Sequence, residues 1–172
     1  MHKDILPTEH DLPLRRADFP TLAEALDYAA GGSTGLNFFD SRGRLKEVLP
    51  YRELRERARA MARKLVGSGL KRGERIAVVA ENGPDFAILF FACQYAGLVP
   101  VALPISLNLG SRAAYVEKLR ELLRASRPVL SVAPSDLLPF LEDAASKLPW
   151  IAVDSTGALE ASPERDVKLE PS

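Results

Sequence analysis

From Glu74 onward the chain repeats one pattern. A short apolar, β-branched run is followed by a longer run with helical spacing. The short runs are RIAVVA, VPVAL, PVLSVA and WIAV; between them lie PDFAILFFACQYA, SRAAYVEKLRELLRAS and SDLLPFLEDAASKL. Short apolar strands alternating with helices predict a mainly parallel sheet covered on both faces, a three-layer α/β/α arrangement. About four parallel strands are expected within residues 74–153, with right-handed crossovers. Pro84 suits the first helical position and Gly97 the stop of the first of these helices. Pro139 places the start of the last one at or near itself.

The first part of the chain reads differently. Pro7, Pro13 and Pro20 make residues 1–20 an extended arm. Thr21 and Glu24 form a capping box that opens a short helix, TLAEALDYAA, which Gly31 and Gly32 end. LNFFD and RLKEVL flank Ser41-Arg42-Gly43, which predicts a hairpin over residues 36–49. Tyr51, Leu54, Ala58, Met61, Ala62 and Leu65 recur at spacings of three and four, so Tyr51 to about Ser68 is a helix. Its opposite face carries six bases (Arg52, Arg55, Arg57, Arg59, Arg63, Lys64) and two acids (Glu53, Glu56). No aromatic residues interleave these bases, so a solvated face partly neutralised by Glu53–Arg57 is favoured over an anion-binding stripe. The helix at 84–96 is apolar nearly all round, which requires cover on both sides. Residues 154–172 lose periodicity and read as a truncated linker or tail. The chain thus divides into an arm (1–20), an α/β body (21–153) and a tail (154–172).

Composition narrows the chemistry. Of 172 residues, 23 are Lys or Arg and 23 are Asp or Glu. The net charge of zero argues against nucleic-acid or membrane-surface binding driven by bulk charge. One cysteine, Cys93, excludes an intrachain disulfide and suggests a reducing, cytoplasmic setting. It lies mid-helix in apolar company and reads as a buried small hydrophobe. Both histidines, His2 and His10, fall in the polar arm, which disfavours a histidine-centred triad or a zinc site. No apolar run reaches the roughly 20 residues that span a bilayer.

Two glycine clusters imitate phosphate loops. GGSTG at 31–35 follows a helix, and no lysine comes before Lys46. A working phosphate loop follows a strand and usually supplies a lysine. Gly67, Gly69 and Gly73 precede a strand, so no helix dipole lies behind them. Asn82 reads first as a turn or cap residue, and second as a wall of the crevice at the strands' carboxyl ends. The loop at 104–111 leaves the next strand at that same edge and is long enough to shape a mouth. No paired carboxylates, nucleophile with base or metal cluster can be assembled. We therefore assign no catalytic, cofactor-binding or metal-ligating residue.

The run from Tyr51 to Pro104 resembles the N-terminal region of the adenylate-forming enzymes: acyl-CoA synthetases, fatty acyl-AMP ligases and adenylation domains. The landmarks are Tyr51, Glu53 and Leu54; Gly69, Gly73 and Arg75; Glu81-Asn82; and Ala96-Gly97 leading into Val101 and Pro104. Arg112, Tyr115, Leu119 and Ser126 make the chain most similar to the fatty acyl-AMP ligase branch. The resemblance covers about residues 20–172. It implies a parent enzyme that joins a fatty acid to ATP, releases pyrophosphate, and passes the acyl group to CoA or a carrier-protein thiol. It also implies ATP and Mg²⁺ for that parent, held by a Ser/Thr/Gly-rich loop, acidic motifs and a catalytic lysine. None of these lies in this sequence, so the chain is expected to be an inactive scaffold that self-associates through apolar surface left open. Two other classes bear comparison. A flavodoxin-like phosphoacceptor needs an acidic pair at strand ends, where this chain offers Glu81-Asn82, Pro104 and Pro134. A stand-alone α/β interaction domain without catalysis stays open, and the reading frame downstream of Ser172 would separate it from a ligase.

Overall fold

The computed structural model describes residues 12–16, 18–105 and 111–171. Most of the expected arm and the centre of loop 104–111 lie outside these residues. Helix α1 (Leu22–Ala29) starts where Thr21 Oγ1 accepts a hydrogen bond from the Glu24 amide at 3.1 Å. The hairpin follows as antiparallel strands β1 (Gly35–Phe39) and β2 (Leu45–Pro50). Its turn is built on Asp40, whose carboxylate accepts from the amides of Arg42 (2.9 Å) and Arg44 (3.0 Å) and from Arg44 Nε (2.8 Å). The Arg44 backbone bond is the largest of the effects that hold the Asp40 carboxyl below its ordinary pKa. Gly43 closes the turn at φ 73°, a conformation that costs glycine little.

Helix α2 (Tyr51–Gly67) leads to the alternating region: β3 (Arg75–Val79), α3 (Pro84–Ala96), β4 (Val99–Leu103), α4 (Arg112–Ser126), β5 (Leu130–Ala133), α5 (Leu138–Ala145), β6 (Ala152–Ser155) and α6 (Thr156–Ala161). The four later strands form one parallel sheet in the order β4-β3-β5-β6. Alternation along the strands divides the core. Ile76, Val78, Leu130 and Val132 meet α1, α2 and α3; Ala77, Val79, Leu103 and Ala133 meet α4 and α5. This is the three-layer α/β/α arrangement with four parallel strands that the sequence pattern predicts.

Three expectations are corrected. The last strand does not coincide with WIAV: Leu148 closes the end of α5, Trp150 is exposed, and the strand is Ala152–Ser155. Residues 154–171 are more than a linker or tail, because they finish β6, form α6 and then lie back along α2. Helix α3 is buried on one side only. Ile88, Leu89, Ala92, Cys93, Tyr95 and Ala96 are enclosed, whereas Phe86, Ala87, Phe90 and Phe91 remain half-exposed. The cover for its inner side is α2, whose Ala58 and Ala62 are fully buried and small enough to let the two helices pack closely.

Candidate functional site

Strand order determines where this fold can bind a ligand. The chain steps from β3 outward to β4, then crosses back to place β5 on the other side of β3. In open parallel sheets, ligands bind outside the carboxyl ends of the strands where the winding direction reverses. Here that point lies between β3 and β5, and a crevice of about 360 Å³ opens there. Val79, Ala133 and Pro134 form its floor, and the first turn of α3 forms one wall. Lys46 and Glu47 reach it from the hairpin, Arg57 from α2 and Thr156 from the start of α6.

The charges around the crevice are mixed. Lys46 and Arg57 face Glu47, Glu81 and Asp85. Arg57 lies 3.5 Å from both Glu53 and Glu160, so its charge is shared before any ligand arrives. The N-terminus of α3 offers few free donors. Gly83 N–H donates to Glu81 O at 2.9 Å, Pro84 has no N–H, and the Asp85 carboxylate occupies the first turn. Thr156 Oγ1 is buried and donates to Ala133 O at 3.3 Å. The arrangement is a polar wall of mixed charge with few free amide donors for an anion. Among the described residues no three His, Cys, Asp or Glu side chains converge as a metal set. These residues do not fit Mg·ATP by themselves.

Asn82 lines the crevice, as its second reading suggested, but it does not cap α3, whose N-cap is Gly83 without a side-chain bond. It sits in the loop before α3, and its Nδ2 donates to Phe39 O in β1 at 3.2 Å, which ties the hairpin to the sheet. It faces the crevice on one side and, on the other, an apolar groove of about 500 Å³ between β1 and the half-exposed face of α3. Leu36, Phe38, Phe86, Phe90 and Phe91 line that groove. The outer face of the hairpin leaves Phe39, Leu45 and Val48 about half-exposed. Sequence reasoning found Asn82 but missed Lys46, Arg57 and Thr156. Arg57 belongs to a stripe of bases with nothing local to distinguish it, and the other two reach the crevice only through long-range packing.

The two phosphate-loop imitations are placed elsewhere. The Gly31 and Gly32 amides donate to Tyr28 O and Ala29 O, which completes the end of α1. Gly35 lies so close to β2 that a Cβ there would stand 2.4 Å from Leu49 O. Gly67, Gly69 and Gly73 turn the chain from α2 into the amino end of β3, opposite the crevice, and Gly73 N–H donates to Gly97 O. Cys93 is fully buried, and desolvation pushes its thiol pKa up to about 12, which makes it unreactive. No helix among the described residues is long and apolar enough to cross a membrane.

Comparison with known proteins agrees with this geometry. A Caulobacter vibrioides protein assigned provisionally to the acyl-CoA synthetases is 46% identical over 133 residues, covering 77% of this chain and 23% of its own. The 4-hydroxybenzoate–CoA/benzoate–CoA ligase of Rhodopseudomonas palustris is 33% identical over 142 residues, covering 81% of this chain and 24% of the ligase. A solved structure from a study of fatty acyl-adenylate ligases of E. coli and L. pneumophila superposes with a TM-score of 0.87 at 43% identity. That match covers 92% of this chain and 29% of the other. The chain therefore spans about a quarter of the length of these relatives. The family described as AMP-binding enzyme matches residues 38–170, and the chain belongs to that family.

Proposed function

We propose that this chain is the N-terminal α/β wall of an AMP-forming ligase that activates fatty acids. The reaction of the whole enzyme joins a fatty-acid carboxylate to ATP to give an acyl-adenylate and pyrophosphate, and then transfers the acyl group to CoA or a carrier-protein thiol. The observation that supports the fatty-acid subclass best is the 43% identity, across 92% of this chain, to a structure studied among fatty acyl-adenylate ligases. The chemistry itself needs cations at the α-phosphorus, from metal and lysine. Among the described residues the crevice holds no metal set, and its one lysine, Lys46, reaches it from the exposed hairpin, so Mg·ATP would be held mainly by other parts of the enzyme. The contribution of this chain is scaffold: it sets the β3–β5 crevice and the Phe-lined groove beside it. A cytoplasmic setting fits a single buried thiol, and the half-exposed apolar residues of the hairpin and α3 fit a surface that meets the remainder of such a ligase.

A chimera tests the reading. This chain should replace the matching segment of a fatty acyl-adenylate ligase with fatty-acid-dependent pyrophosphate release retained. A folded chimera that adenylates only aryl acids would overturn the fatty-acid assignment. The 172-residue chain alone should give no pyrophosphate release above the no-enzyme blank, and should bind ATP more weakly than about millimolar in calorimetry. Turnover by the isolated chain would overturn the scaffold role.

A further inference from the structure

The six bases of α2 look like a solvated face in sequence, but the structure covers one edge of that face with the chain's own last segment. Lys64 Nζ donates to Glu160 O, Arg63 Nε pairs with Glu164, and Arg57 Nη2 lies 3.5 Å from Glu160 Oε1. Further on, Arg72 Nη1 donates to Glu170 O at 2.7 Å and to Pro171 O at 3.1 Å. Val167 and Leu169 are the partly buried apolar side chains of this stretch, and Leu169 packs against the core. Two glycines make room for it. A Cβ at Gly67 would stand 3.0 Å from Arg165 Cβ, and one at Gly97 would stand 2.7 Å from Glu170 O. No ladder or helix hydrogen bonds hold residues 163–171.

We propose that the cationic edge of α2 is a seat for an acidic segment, and that residues 160–171, the end of α6 and the extended chain after it, occupy it as a releasable strap. The segment carries Glu160, Glu164, Asp166 and Glu170 against Arg165 and Lys168, so its net charge is opposite to that of the seat. Its attachment is two partly exposed ion pairs, three exposed hydrogen bonds from cationic side chains to backbone carbonyls, and one apolar anchor. Such pairs are individually weak and screened by salt. Local opening can therefore occur well below the free energy of global unfolding. Lifting the strap uncovers Arg57, Arg63 and Lys64 beside a small pocket floored by Met61 and Ile88, a surface that an acidic peptide with an apolar side chain would fit.

Backbone ¹⁵N relaxation on the 172-residue chain tests this. At low salt, residues 164–170 should show order parameters approaching the rigid value of about 0.85, and at high salt or in Arg63→Glu they should fall below about 0.6. Glu164→Arg should do the same. The double variant Arg63→Glu/Glu164→Arg should restore order, since the pair is re-formed with its charges exchanged. Gly67→Ala, which changes no charge, should also release the strap by crowding Arg165. Throughout, the amide shifts of β3 and β5 should stay fixed. Low order in the wild type at low salt would overturn the seat. High order in every variant at every salt concentration would overturn the release.

Discussion

The phenol of Tyr95, buried in α3, donates a hydrogen bond to Asp27 Oδ1 in α1 at 2.8 Å. The same carboxylate accepts from Arg55 Nε in α2 at 2.5 Å and lies 3.9 Å from Arg59, so one side chain joins three helices. Tyr95 also lies 3.2 Å from Ala23 O, and Arg59 stands 5.7 Å over its ring. Tyr95→Phe removes one bond to a charged acceptor that Arg55 still holds. We expect a loss of about 1.5 kcal/mol, the low end for hydrogen bonds to charged groups, read as a lower urea midpoint with an unchanged slope. Asp27→Ala should cost more, because it strips Arg55 and Arg59 of their partner as well.

Stability should fall in alkaline solution, in two stages. Burial raises the folded pKa of Cys93 to about 12, against about 8.5 for an unfolded thiol. A group raised in the folded state contributes fully below its unfolded pKa and loses that contribution as pH climbs towards the folded value. The decline should therefore begin near pH 8.5, with a slope approaching about 1.4 kcal/mol per pH unit. Tyr95 is also raised, first by desolvation and then by its hydrogen bond to Asp27, so it should steepen the decline above about pH 10. Urea titrations of Cys93→Ala should show a much shallower slope between pH 8.5 and 9.5, the remainder coming from the raised Tyr95 and Tyr115. A slope that survives the substitution undiminished would assign the effect to another group.

These positions show how far the sequence carries. Helix α3 is legible because Pro84 and Gly97 bracket it, and its all-round apolarity is a local property. The hairpin is legible because Gly43 and its neighbours are turn residues between two apolar runs. Strand β6 is misplaced because it is an edge strand. Its residues are only partly buried, so Asp154 and Ser155 can belong to it while the more apolar Trp150 stands outside. The strap at 160–171 has no period to detect, since ion pairs and Leu169 hold it. The crevice is the least legible feature. It exists only because β5 pairs with β3 instead of β4, a long-range choice that no local pattern encodes.

Asn82 braces the wall between the crevice and the apolar groove. Removing its amide should leave Phe39 O without its protein donor and loosen β1 from α3, while the core keeps its packing. We expect Asn82→Ala to cost no more than about 1 kcal/mol globally, because Asn82 is exposed and water can replace the bond. Hydrogen exchange of the hairpin amides should nevertheless speed up several-fold, with β3 and β5 amides unchanged. Exchange that rises equally in hairpin and sheet would mean that Asn82 supports the whole fold and not the wall.

Ser131 is the position where a substitution should improve the fold. It sits in β5, paired in register with Ala77 of β3 and Val153 of β6, and is fully buried. Among the described residues, its Oγ is the only buried side-chain polar atom without a hydrogen-bond partner. A hydroxyl in that state carries its desolvation cost with no compensating bond, about 1–3 kcal/mol. Ser131→Ala removes the hydroxyl and leaves a gap smaller than a methyl group, so little packing is lost in return. The neighbouring residues on that face, Ala77 and Ala133, already show that an alanine fits the sheet beneath α4 and α5. We expect a net gain of about 1 kcal/mol, which for a chain of this size raises the melting temperature by about 2–4 °C. Differential scanning calorimetry at neutral pH reads it directly. A lower melting temperature would mean that the hydroxyl has a partner, and the burial argument for this strand would have to be withdrawn.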